Sequence, residues 1–227
     1  MQPPIHSHRN SFPVPFFGLA LVLLVCLDSP TSSCTDQEKS SLLQLLTGLS
    51  SDGGLTASWQ IDTDCCAWEG ITCNQDRTVT DVSLASRGLK GSISPFLGNL
   101  TGLLRLNLSQ NLLSGGLPLE LVSSSSILVL DVSFNCLTGG LSELPSSTPA
   151  RPLQVLNISS NCFTGRFPST TWEVMKSLVV LNASTNSFTG QIPTTPCFSA
   201  PSFAVLELSF NQLSGNIPPG LGNCLAL

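Results

Sequence analysis

The stretch Leu103-Leu104-Arg105-Leu106-Asn107-Leu108-Ser109-Gln110-Asn111-Leu112-Leu113-Ser114-Gly115 sets leucines at 103, 106, 108 and 113 in a frame with an asparagine at 111, and closes on a glycine. The frame returns with Leu130, Val132, Asn135, Leu137 and Gly139, then with Leu156, Ile158, Asn161, Phe163 and Gly165. It returns again with Leu181, Ala183, Asn186, Phe188 and Gly190, and with Leu206, Leu208, Asn211, Leu213 and Gly215. A degenerate copy precedes these, with Val82, Leu84, Leu89 and Gly91 in register and Arg87 in the asparagine position. From Val82 onward the copies follow at intervals of 24, 24, 26, 25 and 25 residues. Periods of this length mark a solenoid.

The physics of the frame is a short strand, a turn and a return along the outer side. Alternate strand positions point to opposite faces, so Leu106 and Leu108 are expected in the core while Arg105, Asn107 and Ser109 face out. One repeat cannot fold alone, because its few buried side chains return less than ordering its backbone takes. Stacking supplies the rest by burying the two flat sides of each repeat on its neighbours. The asparagine ladder, Asn111, Asn135, Asn161, Asn186 and Asn211, stands where the chain leaves the strand. An inward amide there satisfies main-chain groups that the turn strips of partners.

Composition narrows function. The chain has 227 residues, 9 Lys and Arg against 14 Asp and Glu, and a net charge of −5, with the basic residues scattered. No cationic stripe exists to neutralise phosphates, so no nucleic-acid partner is expected. Both histidines, His6 and His8, precede an uncharged apolar run from Phe16 to Leu27 and the small residues Ser29, Thr31, Ser32 and Ser33. That segment reads as a secretory signal peptide, residues 1–33, cleaved near Ser33. Twelve apolar residues at roughly 1.5 Å each cover about 18 Å, short of the roughly 30 Å of bilayer hydrocarbon. No other stretch is long enough to span. Loss of the segment removes all imidazole, and with it histidine-based nucleophile systems, histidine-ligated metals and histidine pH switches.

Cleavage also removes Cys26 and leaves eight cysteines, an even count that suggests disulfides in a secreted chain. The adjacent pair Cys65 and Cys66 lacks the spacer that turns two thiolates onto one zinc ion. No cofactor and no metal is expected. Residues 34–77 read as a cap. Thr35 with Glu38 forms a capping-box signature, and Leu42, Leu45, Leu46 and Leu49 recur at helical spacing until Gly48 and the stretch ending at Gly54. Trp59 and the segment Asp64 to Cys73 then cover the open end of the first repeat. The expected pairing is Cys66 with Cys73 and Cys34 with Cys65, one of three schemes four cysteines allow. The partners of Cys136, Cys162, Cys197 and Cys224 are left open. Cys136 and Cys162 hold equivalent places in adjacent repeats, about 5 Å apart if the backbones align, so both a staple and two free thiols are open.

The motif Cys66-Ala67-Trp68-Glu69-Gly70-Ile71-Thr72-Cys73 and repeat ends such as Gly190-Gln191-Ile192-Pro193 and Gly215-Asn216-Ile217-Pro218 resemble plant-type leucine-rich repeat receptors over the whole mature chain. Glu38-Lys39-Ser40-Ser41-Leu42-Leu43 and Asp64-Cys65-Cys66-Ala67-Trp68 are similar to the receptors of tyrosine-sulfated peptide hormones of the phytosulfokine type. The expected fold class is an α/β repeat, a plant-type leucine-rich repeat solenoid with a disulfide-stapled helical N-terminal cap and six repeats over residues 78–227. The resemblance implies a modular receptor of the plasma membrane, with an island among its repeats, a membrane helix and usually a kinase. Its partners would be an extracellular peptide or protein ligand and a co-receptor. Hormone contacts are implied at the island, which these residues lack, so no hormone-binding residue carries over. Pro218 to Leu227 runs into the start of another repeat without a polar cap, which suggests an N-terminal portion or a truncated product. A free secreted inhibitor or defence module is the alternative.

Sequons occur at Asn99, Asn107, Asn157 and Asn182. Three of them share the outward column Ser83, Asn107, Asp131, Asn157, Asn182 and Glu207, so glycans there would shield the inner curved face and keep ligands off it. The flanking column Ser86, Gln110, Phe134, Ser160, Thr185 and Phe210 offers two phenylalanines as possible partner contacts. Leu144 to Pro152 lengthens one repeat as an outer loop. Asp131 and Glu207 stand three repeats apart, about 15 Å by strand spacing, too far for a cooperating carboxylate pair, so no enzyme is expected.

Overall fold

The computed structural model describes residue 1, residues 33–192 and residues 195–224. The signal-peptide reading lies outside these residues apart from its two ends. Residues 33–192 and 195–224 fall in one compact unit, Ser32–Leu227.

The cap begins with α1 (Asp36–Thr47), β1 (Leu49–Ser51), α2 (Leu55–Ser58) and β2 (Ile71–Cys73). Six repeats follow, each contributing two strands: β3 (Val79–Ser83) and β4 (Lys90–Ser92), β5 (Arg105–Asn107) and β6 (Leu112–Gly115), β7 (Val129–Asp131) and β8 (Cys136–Gly139). The rest are β9 (Val155–Asn157) and β10 (Cys162–Gly165), β11 (Val180–Asn182) and β12 (Ser187–Gly190), β13 (Val205–Glu207) and β14 (Gln212–Leu213). Short helices return the chain in three of them: α3 (Leu119–Val122), α4 (Thr170–Val174) and α5 (Thr195–Ser199). The first strands build one sheet in the order β13-β11-β9-β7-β5-β3-β2, and the second strands build another, β1-β4-β6-β8-β10-β12-β14. All repeat-to-repeat pairs are parallel. The two cap strands close the sheets antiparallel, β2 on β3 and β1 on β4.

Register carries the sequence period into space. Val82, Leu106, Leu130, Leu156, Leu181 and Leu206 stand opposite one another along the first sheet. The first five are at most 1% exposed, as are Leu108, Val132, Ile158 and Ala183. Among the later repeats the core turns aromatic: Phe188 stacks on Phe163 at 6.0 Å and on Phe167 at 4.4 Å.

Two expectations need correction. Ser109 does not face out; it is buried, with Ser133 and Ser159 at the equivalent positions. Strand geometry ends at Asn107, so alternation no longer governs Ser109, whose amide and hydroxyl both turn back to Asn107 Oδ1 at 3.0 and 2.7 Å. Leu49 does not extend the helix. α1 stops at Thr47 with Gly48 as its C-cap, and Leu49 instead opens β1, opposite Gly91.

Besides the two strand pairings, one carboxylate ties the cap helix to the repeats. Glu38 Oε2 accepts the Thr35 amide at 2.9 Å while the Thr35 hydroxyl takes the Glu38 amide, completing the capping box. Its other oxygen, Oε1, accepts the Val79 amide at 2.9 Å, at the first residue of β3. Trp59 and Trp68 stack at 5.4 Å, with Trp59 Nε1 donating to the Glu69 carbonyl and Trp68 Nε1 to Thr63 Oγ1. Disulfides join Cys34 to Cys65 and Cys66 to Cys73. A third joins Cys197 to Cys224, linking α5 to the corresponding turn of the next repeat.

The segment 144–152 is irregular, with Leu144 and Leu153 buried. Just before it, Glu143 spans to the next repeat and accepts the amides of Ser169 at 2.8 Å and Thr170 at 2.9 Å, together with the Thr170 hydroxyl, at the start of α4. Desolvation pushes its pKa up, but hydrogen bonds from the Thr170 hydroxyl and the 169–171 amides outweigh that and hold it below the ordinary carboxylate value. A depressed folded pKa contributes stability above the unfolded value, near 4.5, which is lost as pH falls through the folded pKa. Glu143→Gln is therefore expected to lower the urea midpoint at pH 7, and the gap from the parent chain should close as pH falls from about 5 towards 3. A gap independent of pH would assign the loss to geometry rather than charge.

Candidate functional site

The outward side of the first sheet consists of parallel columns, one residue per repeat, spaced by the roughly 4.8 Å between strands. Asp81, Arg105, Val129, Val155, Val180 and Val205 form one column, with Arg105 Nη1 paired to Asp81 Oδ1 at 3.3 Å. Next comes Ser83, Asn107, Asp131, Asn157, Asn182 and Glu207, in strict register. Each asparagine of this column folds its Oδ1 back onto the serine two residues later. The hydroxyl contacts are 2.7 Å for Ser109, 2.8 Å for Ser159 and 2.8 Å for Ser184.

The three sequons of the sheet are therefore local turns in which the serine hydroxyl is held against the amide oxygen. Asn157 Nδ2 donates to Asp131 Oδ2 at 3.1 Å, tying the sequon residue to the adjacent repeat. A glycosylated amide nitrogen keeps one hydrogen, so this bond is compatible with a glycan. Asn99 lies elsewhere, exposed at the end of the turn Pro95–Asn99.

The ladder runs beneath. Asn111 is buried; its Nδ2 donates to the carbonyls of Leu84 at 2.8 Å, Leu108 at 2.9 Å and Ser109 at 3.1 Å. Its Oδ1 accepts the amides of Arg87 at 2.9 Å and Leu89 at 3.0 Å. Asn135 repeats the pattern on Leu108, Val132, Ser133 and Leu113. Asn161 accepts from Leu137, Asn186 from Phe163 and Asn211 from Phe188, each at 3.0 Å. Each amide thus joins its own turn to the preceding repeat. Arg87, which replaces the ladder residue in the first copy, turns its guanidinium outward to Glu69 at 2.6 Å. That bond holds the Glu69 carboxyl below its usual range.

Sequence reasoning missed what the ladder does to the residue before each asparagine. Ser86, Gln110, Phe134, Ser160, Thr185 and Phe210 all have positive φ, between 52° and 57°. The amides of Gln110, Phe134, Ser160 and Thr185 each donate to the serine carbonyl of the next repeat, so stacking enforces the left-handed turn. The detectable signal was the invariant one-residue offset from the ladder asparagine. A β-branched residue is poorly suited to this region. Thr185→Gly is expected to raise stability by about 0.5–1 kcal/mol, read from denaturation midpoints; asparagine, the other natural choice, would create a new sequon with Ser187. The two phenylalanines of the column are 57% and 83% exposed, so they stand at a strained backbone position without burial in return.

Chemistry is sparse on this face. Asp81 is paired to Arg105, Asp131 Oδ1 is taken by Ser133, and Glu207 Oε1 accepts the Ser209 amide at 3.4 Å. Among the described residues no group of three or more His, Cys, Asp or Glu could hold a metal ion. A cavity of about 10 Å³ between Leu117, Leu141, Leu156 and Trp172 is no larger than a water molecule needs.

Residues 35–74 match the leucine rich repeat N-terminal domain family, and residues 152–173 and 202–224 match the Leucine Rich Repeat family. Phytosulfokine receptor 1 of Arabidopsis thaliana is 33% identical over 168 residues, 72% of this chain and 14% of that protein. Receptor-like protein 3 of the same plant is 40% identical over 93 residues, 40% of this chain and 12% of its own length. The chain thus spans about a seventh or less of these relatives. Among solved structures, PEPR1 in its complex with AtPEP1 superposes with a TM-score of 0.76 at 30% identity, over 84% of this chain and 27% of that one. The Arabidopsis receptor kinase HAESA, solved with the peptide hormone IDA and the co-receptor SERK1, gives 0.74 at 31% identity over 85% and 33%.

Proposed function

We propose that this chain, a plant-type leucine-rich repeat array behind a disulfide-stapled N-terminal cap, is the N-terminal portion of a receptor ectodomain that recognises a secreted ligand outside the cell. The observation that carries this reading is the 33% identity to Phytosulfokine receptor 1 across cap and repeats together, on repeats whose outward columns are held in strict register. It supports a sulfated peptide as the ligand class of the whole receptor, with a co-receptor as second partner. The chain itself performs no catalysis in this reading; the carboxylates on the outward side of the first sheet, Asp81, Asp131 and Glu207, stand in separate repeats. The helices of the described residues are all too short to cross a membrane. The segment 1–33 directs the chain into the secretory pathway, 34–77 is its cap and 78–227 its repeats.

Glycans on Asn107, Asn157 and Asn182 stand over the middle of the first sheet, so ligand contact falls to its margins, where Phe134 and Phe210 lie. The test is expression of the whole chain in plant cells. We expect recovery outside the cell with glycan mass on all three asparagines; unmodified residues would remove the shielding argument, and a cytosolic, unglycosylated product would remove the extracellular reading. On beads carrying a short tyrosine-sulfated peptide or its unsulfated form, a receptor that has this chain as its N-terminal portion should be retained by the sulfated form alone. Equal retention refutes that ligand class.

A further inference from the structure

Cys136 and Cys162 are both free and both exposed. They do not face each other across the second sheet: Cys162 stands opposite Thr138, two residues beyond Cys136. One strand across and two residues along places their Cα atoms roughly 8 Å apart, beyond the range a disulfide bridges. The staple considered from sequence is therefore not formed within the chain.

The surface around them is unusual for an exterior. Cys136, Thr138, Cys162 and Thr164 share the outward side, continued by Ser114 and Leu112, the latter 49% exposed. Lys90 is the one charged residue in the seven strands of this sheet. None of the four sequons lies on these strands. Between Lys90 on β4 and Arg166, whose side chain lies against Gly190 of β12, the strip around the two cysteines carries short uncharged side chains and permits close backbone approach to a copy of itself.

We infer that Cys136 and Cys162 join two copies of this chain through a pair of reciprocal disulfides, Cys136 to Cys162 of the second copy and Cys162 to its Cys136. A two-fold interface brings residue i onto j and j onto i. An axis lying in the interface and passing midway between the thiols does this for both bonds at once. Each bond forms as two thiols give up two protons and two electrons to a disulfide donor of the secretory pathway, itself cleaved to two thiols. The inference rests on the extracellular reading above.

The experiment uses the whole chain, secreted from plant cells, alkylated before lysis and mapped as peptides alongside non-reducing electrophoresis. The expected result is a species of twice the mass that collapses on reduction, with the Cys136 and Cys162 peptides linked. Cys136→Ser and Cys162→Ser should each abolish it completely, since each removes one partner from both bonds. Alkylated Cys136 and Cys162 in a monomer, a Cys136–Cys162 link at monomer mass, or a dimer surviving either substitution overturns the inference. The cap separates the two readings: with Cys34–Cys65 and Cys66–Cys73 intact such results refute only the dimer, whereas reduced cap cysteines refute the extracellular reading too.

Discussion

Replacing Asn111 with alanine is expected to lower the unfolding free energy by at least about 3 kcal/mol, the largest single loss in the ladder. Its amide serves one buried and one partly buried N–H group and three carbonyls, and each buried group left unpaired costs about 1–3 kcal/mol. Asn111→Asp separates hydrogen bonding from packing. The shape is kept and the acceptor survives, but both N–H donors go, so an aspartate as damaging as alanine assigns the loss to the carbonyls. Asn211→Ala should cost less, about 1 kcal/mol, because that residue is only half buried and water replaces part of what is lost. Urea titrations followed by circular dichroism give all three values. Equal losses at Asn111 and Asn211 would contradict burial as the cause.

Glu38→Ala should follow closely, at about 2–4 kcal/mol: it removes the return half of the capping box, worth about 1 kcal/mol, and strands the Val79 amide. Its signature is spatial as well as energetic. Val79 is the first residue of β3, where the repeats meet the cap, so hydrogen exchange at its amide should accelerate by 10-fold or more, while the Leu156 and Leu181 amides stay protected. Glu38→Gln retains an oxygen for one of the two tasks and should fall between. Uniform acceleration along the solenoid would mean that the cap and the repeats unfold as one unit, against the nearest-neighbour energetics expected of stacked repeats.

The fold was legible because its information is periodic. A leucine at 106, 130, 156, 181 and 206 can be buried in register only by stacking, and the asparagines at a fixed offset needed buried backbone to satisfy. The candidate surface was legible only in part: the column containing Asn107 follows from alternation, whereas Phe134 lies beyond the strand end, where a positive φ turns it outward. Ser109 was misplaced because alternation fails at the residue where the strand ends, and the strand end is set by hydrogen bonds to the next repeat. Leu49 was misplaced because Gly48 stops the helix one residue before the leucine that fitted its period.

Local pattern alone determined the repeat, the capping box and the columns, since each depends on residues within one turn or one period of each other. Tertiary structure decided what depends on offset between neighbours. The two-residue slip between successive strands of the second sheet sets Cys162 against Thr138 and leaves both thiols free, and only in three dimensions do Cys197 and Cys224 meet. Glu38 with Val79 and Glu143 with Thr170 belong to the same class, because a side chain's second partner lies a repeat or more away, where sequence spacing says nothing about distance.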